Sequence, residues 1–307
     1  MPTYKTRFLR EAVESILNQT YKDFLLIISD DCSPEPVYHV IEPYLKDERV
    51  QYRRNSRNYG AERLVDHWNL LVSICSSEYL ILPGDDDIYE AHFLEKIDQL
   101  SQQYPEIDCI RSRSQRIDMN GTCFQTEISI PQIQTQQRFL SGFYNSGIIH
   151  CLGNNVFKRS SLIEVGGFPH FPLAWFCDDA AVIQLSNNSI ATMSGIHFSF
   201  RRSEISISGN ENNQIINQKI KATRLFYQWV KDHPIVGKDL SFCKIVKDRC
   251  YNDIVWNDIT TLGVYDIIQV MWSLKSVRIG ASWLKRIYYK QRGIEYIWGD
   301  GNSSLKK

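Results

Sequence analysis

Charge of one sign is the first thing this sequence lacks: 35 lysines and arginines stand against 35 aspartates and glutamates, so no global field draws it to nucleic acid. No run of about 18 apolar residues occurs, and no segment therefore reads as a membrane span. There is no Gly-x-x-x-x-Gly-Lys-Ser/Thr stretch, which excludes the usual phosphate loop of nucleotide hydrolases. Cysteine is not scarce, with eight residues, but no Cys-x-x-Cys pair and no metal-finger spacing are among them. The opening Met1-Pro2-Thr3-Tyr4 carries no apolar leader. Reduced thiols that fill the core, such as Cys75 and Cys109, and a cytoplasmic location are expected. The sequons at Asn18, Asn187 and Asn302 then carry no consequence.

What is present starts with size: 307 residues at 43% hydrophobic content are enough for one large or two ordinary domains with a sizeable core. The organising stretch is Tyr79-Leu80-Ile81-Leu82-Pro83-Gly84-Asp85-Asp86-Asp87. A short apolar run reads as a buried strand, and this one ends in a glycine and three carboxylates. Ligands bind beyond the carboxyl ends of strands in open α/β sheets. Three acids there repel one another unless a cation sits between them, and hard oxygen donors suit Mg²⁺ or Mn²⁺ carrying substrate phosphates. Asp85, Asp86 and Asp87 are thus candidate metal and phosphate residues. The plain alternative is a solvated acidic turn that caps the next helix.

Phe8 to Leu17 repeats apolar residues at helical spacing, and residues 24–28 form a β-rich run ending in Ser29-Asp30-Asp31-Cys32-Ser33. Residues 37–46 read as a helix despite Pro43, Val50 to Arg53 as a strand, and Leu64 to Cys75 as a helix. This alternation predicts a doubly wound, mainly parallel sheet with acids at one edge. A helix from Phe93 follows, then a hairpin about Asn120-Gly121, a polar loop over 131–147, a helical run at 173–185 and a strand at 190–200. From about 213 the pattern is helical. The stretch 265–292 carries six basic residues and one acid among aromatics, a pattern that fits either a solvated helix face or peripheral contact with an anionic membrane.

Taken in order, these motifs resemble the family 2 glycosyltransferases of the GT-A fold, over residues 2–202. Pro2-Thr3-Tyr4 looks like the end of the family's first strand, and Leu17-Asn18-Gln19-Thr20-Tyr21 is similar to its first helix end. Ser29 to Ser33 looks like its Asp-rich turn, and Asn58-x-Gly60 with Trp68-Asn69 like its next segment. Gly84 to Asp87 resembles its Asp-x-Asp metal motif, and Arg159-Ser160 with Glu164-Val165-Gly166-Gly167-Phe168 its later signature. The family has an apolar strand ahead of the Pro-Thr-Tyr, whereas Met1 here abuts Pro2, so most of that strand is expected to be missing.

The resemblance implies a GT-A domain over residues 1–210 and a helical C-terminal region over 211–307. It implies that Thr3, Tyr4 and Asp31 meet the base and that Asn58 lies beside the nucleotide. Asp85 and Asp86 would approach the ribose and a bridging Mn²⁺ or Mg²⁺, with Asp87 a further ligand; which of the three takes the metal stays open. Asp178-Asp179 stands where the family has Glu-Asp, so Asp179 is expected to be the base and Asp178 to orient the acceptor, or the reverse, since adjacent carboxylates titrate together. The implied reaction is inverting transfer from a nucleotide sugar, UDP-linked in expectation, to a glycan or lipid-linked acceptor in surface polysaccharide synthesis, on the cytoplasmic side and with no nucleic acid partner. Arg201 or Arg202 would help hold the diphosphate or, as readily, serve in surface salt pairing. Phe171, Trp175 and Phe176 offer sugar-stacking faces or core packing. Two rival readings remain, a nucleotidyltransferase-like metal enzyme and a non-catalytic carbohydrate- or partner-binding protein on the same fold.

Overall fold

The structure is a computed structural model. It describes residues 1–145, 147–202, 212–234, 236–256, 259–292, 295–299 and 302–306. Strand β1 (Pro2–Thr3) leads into helix α1 (Leu9–Leu17), whose Leu9, Ala12, Val13 and Ile16 fall on one buried face. Strand β2 (Leu26–Asp30), helix α2 (Val37–Ile41) and strand β3 (Val50–Arg54) follow. The helix expected over 37–46 stops being α-helical at Ile41 and tightens to a 3₁₀ turn at Glu42–Tyr44, where Pro43 lacks the N–H an α-helix needs. Strands β1, β2 and β3 form a parallel sheet in that order.

Helix α3 (Leu64–Ile74) leads to β4 (Tyr79–Leu80), β5 (Ile88–Tyr89) and α4 (Phe93–Gln103). The hairpin of β6 (Cys109–Ile117) and β7 (Cys123–Thr126) turns at the expected Asn-Gly pair. Next come β8 (Ile133–Gln134) and α5 (Gln136–Asn145). Residues 133–145 are therefore more structured than the loop expected there, because Phe139 and Leu140 are buried and anchor a helix. Strand β9 (Asn155–Lys158), α6 (Arg159–Glu164), α7 (Cys177–Leu185) and β10 (Ile190–Arg201) complete this region. The second sheet runs β4-β9-β6-β10-β5, with β7 beside β6 and β8 beside β10. Only β6 and β10 run parallel in it, so the parallel winding read from the alternation holds for β1–β3 and this central pair while the other pairings are antiparallel.

The main core lies between these sheets and helices α1 and α4, around Ile28, Phe93, Ile110, Val156 and Phe198. The Gln19-Thr20 pair ties it together. Gln19 is buried, donates to the Glu90 carbonyl at 2.8 Å and accepts from the Leu94 N–H at 2.9 Å, while the Thr20 N–H donates to the Ala91 carbonyl at 2.8 Å. Strands β1 and β4 are both edges, and a cavity of about 760 Å³ is lined by Met1, Leu26, Ile27, Leu80 and Leu82 among others. All eight cysteines are free thiols, with Cys109 buried and Cys75 only half-buried.

The chain forms two compact units. One holds residues up to His170 and from Cys177 through β10; the other holds Phe171–Phe176 with the helical region. In the second unit, helices α8 (Asn213–Asp232), α9 (Leu240–Trp256), α10 (Val264–Leu274) and α11 (Val277–Gln291) precede the hairpin of β11 (Glu295–Gly299) and β12 (Asn302–Lys306). The helix read over 265–292 breaks at Lys275, which takes a left-handed φ of 46° without any glycine to signal it. Phe171 and Phe176 pack on Phe226, the latter pair stacked at 4.6 Å, and the Trp175 indole N–H donates to Asp253 at 3.3 Å. These aromatics are spent on packing, not left open for a sugar ring. No helix among the described residues is long and apolar enough to cross a membrane.

Candidate active site

The loop after β4 presents the three acids, and Asp85 turns away from the other two. Consecutive residues in an extended turn aim their side chains apart. Asp85 Oδ2 turns to the segment after β1 and accepts the N–H groups of Tyr4 at 2.9 Å and Lys5 at 3.0 Å. Asp87 is buried and its Oδ1 accepts the Arg201 N–H at 3.1 Å. Burial, followed by the Asp85 charge, pushes the Asp86 carboxyl up to about 6. Burial and the Asp86 charge hold Asp87 well above the carboxylate range, and burial raises Asp85. A Cβ on Gly84 would lie 2.7 Å from Asp87 Oδ2 and 3.1 Å from Asp86 Oδ1, so glycine is what lets those two oxygens close over the turn.

Arg201 is not available for phosphate. Its guanidinium donates to the Asp86 carbonyl at 2.9 Å, the Asp118 carbonyl at 3.2 Å and the Glu11 carboxylate at 2.6 Å. It braces the acidic loop from within, while Arg202 is exposed.

The other expected nucleotide residues gather about the end of β2. Asp31 Oδ1 accepts from Asn55 Nδ2 at 3.0 Å and from the Tyr59 N–H at 2.9 Å, and Oδ2 accepts from the Gly60 N–H at 3.1 Å. Asn58 Nδ2 donates to the Asp31 carbonyl at 2.7 Å. Thr3 is buried and its hydroxyl donates to the Met1 carbonyl at 3.3 Å. Sequence reading missed the partner of this group, His67. Its Nε2 lies 2.8 Å from the Ser29 hydroxyl and 3.2 Å from Asn55 Nδ2, its ring stacks on Tyr59 at 5.3 Å, and burial pulls its pKa down. The signal available was slight: a histidine inside the apolar stripe of α3 reads as core filling.

Asp178 and Asp179 open α7, where carboxylates favour the positive end of the helix. His150, also missed, brings Nε2 to 3.5 Å from Asp178 Oδ2. Ligand atoms of His150, Asp178 and Asp179 lie within 4.8 Å of one another, close enough to hold a cation; this is the group of that kind among the described residues. Burial raises the Asp178 carboxyl. The Cys151 thiol is driven up by burial and then by the charges of Asp87 and Asp178.

The profile described as "Glycosyl transferase family 2" matches residues 1–166, more than half of the chain. The chain belongs to this family. Curated relatives carry the same family name. An uncharacterized glycosyltransferase of Methanocaldococcus jannaschii is 35% identical over 127 residues, covering 39% of this chain and 42% of that protein. Glycosyltransferase GlyG of Streptococcus pneumoniae is 30% identical over 105 residues, covering 34% of each. The chain thus spans less than half the length of these relatives. Among solved structures, S. aureus TarS 1–349 in complex with UDP-GlcNAc superposes with a TM-score of 0.71 at 12% identity, over 99% of this glycosyltransferase and 95% of that chain. The likeness establishes the GT-A fold.

The donor set of this glycosyltransferase fits a divalent ion. Mg²⁺ and Mn²⁺ need only one or two carboxylates beside substrate phosphates. Asp86 Oδ1 and Asp87 Oδ2, which both approach Gly84, are two carboxylates of that kind, and His150, Asp178 and Asp179 are a group whose ligand atoms lie within 4.8 Å of one another.

Proposed function

We propose that this enzyme transfers a sugar, with inversion, from a UDP-linked donor to a hydroxyl of a glycan or lipid-linked acceptor, in a metal-dependent reaction of surface polysaccharide synthesis at the cytoplasmic membrane face. The observation that carries the reading is the Asp85 carboxylate bound by the Tyr4 and Lys5 N–H groups, which joins the expected base-binding segment to the acidic turn. Asp86, helped by Asp87, would hold Mn²⁺ or Mg²⁺. The ion would neutralise the charge that builds on the departing diphosphate.

In this reading Thr3, Tyr4, Asp31 and Asn58 line the nucleotide side. Asp31 spends its carboxylate on the Asn55, Tyr59 and Gly60 donors, so its part is to shape that wall as well as to meet a base N–H. Asp179 takes the acceptor proton as the hydroxyl oxygen attacks the anomeric carbon, the carbon–oxygen bond to the phosphate breaks, and its electron pair leaves with the nucleoside diphosphate. Asp178, beside His150, orients the acceptor.

The test is calorimetric titration with UDP, GDP and CDP, each with and without Mn²⁺, on the wild type and on Asp86→Ala, alongside donor hydrolysis without acceptor. Binding of UDP that needs the metal and is lost in the variant is the expected result. Equal affinity for all three nucleotides, or binding indifferent to metal, overturns the donor assignment.

A further inference from the structure

The transfer chemistry leaves the basic, aromatic helices near the C-terminus without a role. Helix α10 is apolar on two sides. Ile267, Val270 and Leu274 are buried, whereas Val264, Tyr265, Ile268 and Trp272 fall within an arc of about 100° that faces solvent. Trp272 is 80% exposed and Tyr265 72%. A helix resting on a core normally shows water a polar outer face, and an uncovered apolar one marks an interaction site.

Helix α11 has the same property in another form. Val277, Ala281, Leu284 and Tyr288 follow one another at i, i+4, i+7 and i+11, all exposed, while Ile279, Gly280 and Arg286 are buried. Alongside that stripe Arg278, Lys285 and Arg292 recur every seven residues, also exposed. The Arg292 guanidinium lies 4.5 Å over the Tyr288 ring, which brings a cation to the stripe's edge.

Charge selects the occupant. Residues 264–292 hold six basic side chains and one acidic one, in a chain that carries 35 of each sign. A second copy would set this positive surface against itself; a layer of acidic headgroups meets it with the opposite sign. Helices of 11 and 15 residues are about 16 and 22 Å long, short of a hydrocarbon core of about 30 Å, so they would lie on a membrane and not cross it.

We propose that α10 and α11 dock on an anionic lipid surface. Trp272, Tyr265, Leu284 and Val277 enter the headgroup boundary, and Arg278, Lys285 and Arg292 pair with lipid phosphates. The inference deepens the membrane-face part of the proposed function, on which it rests, and does not depend on the donor.

Flotation of the full chain with phosphatidylcholine vesicles, plain or containing about 30% phosphatidylglycerol, is the test. The wild type is expected to float with the anionic vesicles only, and to be released by high salt. Trp272→Ser with Leu284→Ser, and separately Arg278→Glu with Lys285→Glu, should each weaken binding about tenfold or more. Their unfolding midpoints and UDP affinity should match the wild type, which separates this result from failure of the transferase reading. Failure to float, equal binding to neutral vesicles, or variants that float like the wild type overturn the proposal. So does light scattering that shows self-association lost in Trp272→Ser with Leu284→Ser, without vesicle binding.

Discussion

Asn69 clasps the backbone of Phe168 from both sides, its Nδ2 donating to the carbonyl at 3.0 Å and its Oδ1 accepting the N–H at 2.8 Å. Gly167 has a φ of +81°, and a Cβ there would lie 2.5 Å from Asn69 Oδ1. The Trp-Asn and Gly-Gly-Phe motifs are thus two halves of one joint. Asn69→Ala should lower stability by about 1–3 kcal/mol through the unmet backbone groups. Gly167→Ala should cost at least a further 1–2 kcal/mol or so from the left-handed backbone alone. In urea unfolding the double variant should lose less than the sum, because the clash partner is gone; an additive result would refute the joint.

Asp86 ties stability to pH in a definite direction. Its folded pKa, about 6 against an ordinary 3.8, makes the native state hold more protons than the unfolded chain between those values. Its contribution therefore falls as pH rises through that window and is unfavourable at neutral pH, by up to about 3 kcal/mol. Asp86→Asn should raise the metal-free unfolding midpoint near neutral pH and remove the stabilisation that Mn²⁺ gives the wild type. Thermal scans with and without Mn²⁺ at two pH values would show it; a variant less stable than the wild type at neutral pH would contradict it.

Asp179→Asn is expected to reduce kcat by roughly 10²–10⁴ while leaving UDP affinity unchanged, as loss of a general base does. Asp178→Asn should act mainly on the acceptor KM. If the two effects are exchanged in steady-state kinetics with a working acceptor, the roles of the pair are exchanged too.

Asp31→Ala should fail in two ways at once. It leaves the Asn55 amide and the Tyr59 and Gly60 N–H groups without their acceptor, a loss of about 1–3 kcal/mol, and it should weaken UDP binding. A variant with wild-type unfolding and reduced UDP affinity would show that the carboxylate serves the nucleotide alone.

The acids stood out as candidates because their type and position suggest chemistry without help from the fold: a triple Asp after an apolar run, and an acid pair at a helix start. His150 and His67 were not, since each gains meaning only from residues brought close by topology, Asp178 in one case and Ser29 with Asn55 in the other. Arg201 stayed open between phosphate binding and salt pairing for the same reason. Nothing in Arg201-Arg202 tells that the first guanidinium turns inward to Asp86, Asp118 and Glu11. In the fold, helices with a full apolar face were readable, while α5 was hidden among the Gln and Ser residues of the stretch around it and the break at Lys275 by the absence of Gly or Pro.

Asp85 gives one oxygen to two peptide N–H groups and sits next to the acid that would hold the metal. A carboxylate shared in this way ties residues 4–5 to the acidic turn, which the proposed reading makes the base and metal sides of one site. Thermodynamic linkage then requires reciprocity: whatever factor Mn²⁺ adds to UDP affinity, UDP must add to Mn²⁺ affinity. Asp85→Asn, which keeps an acceptor but drops the charge, should shrink both factors together.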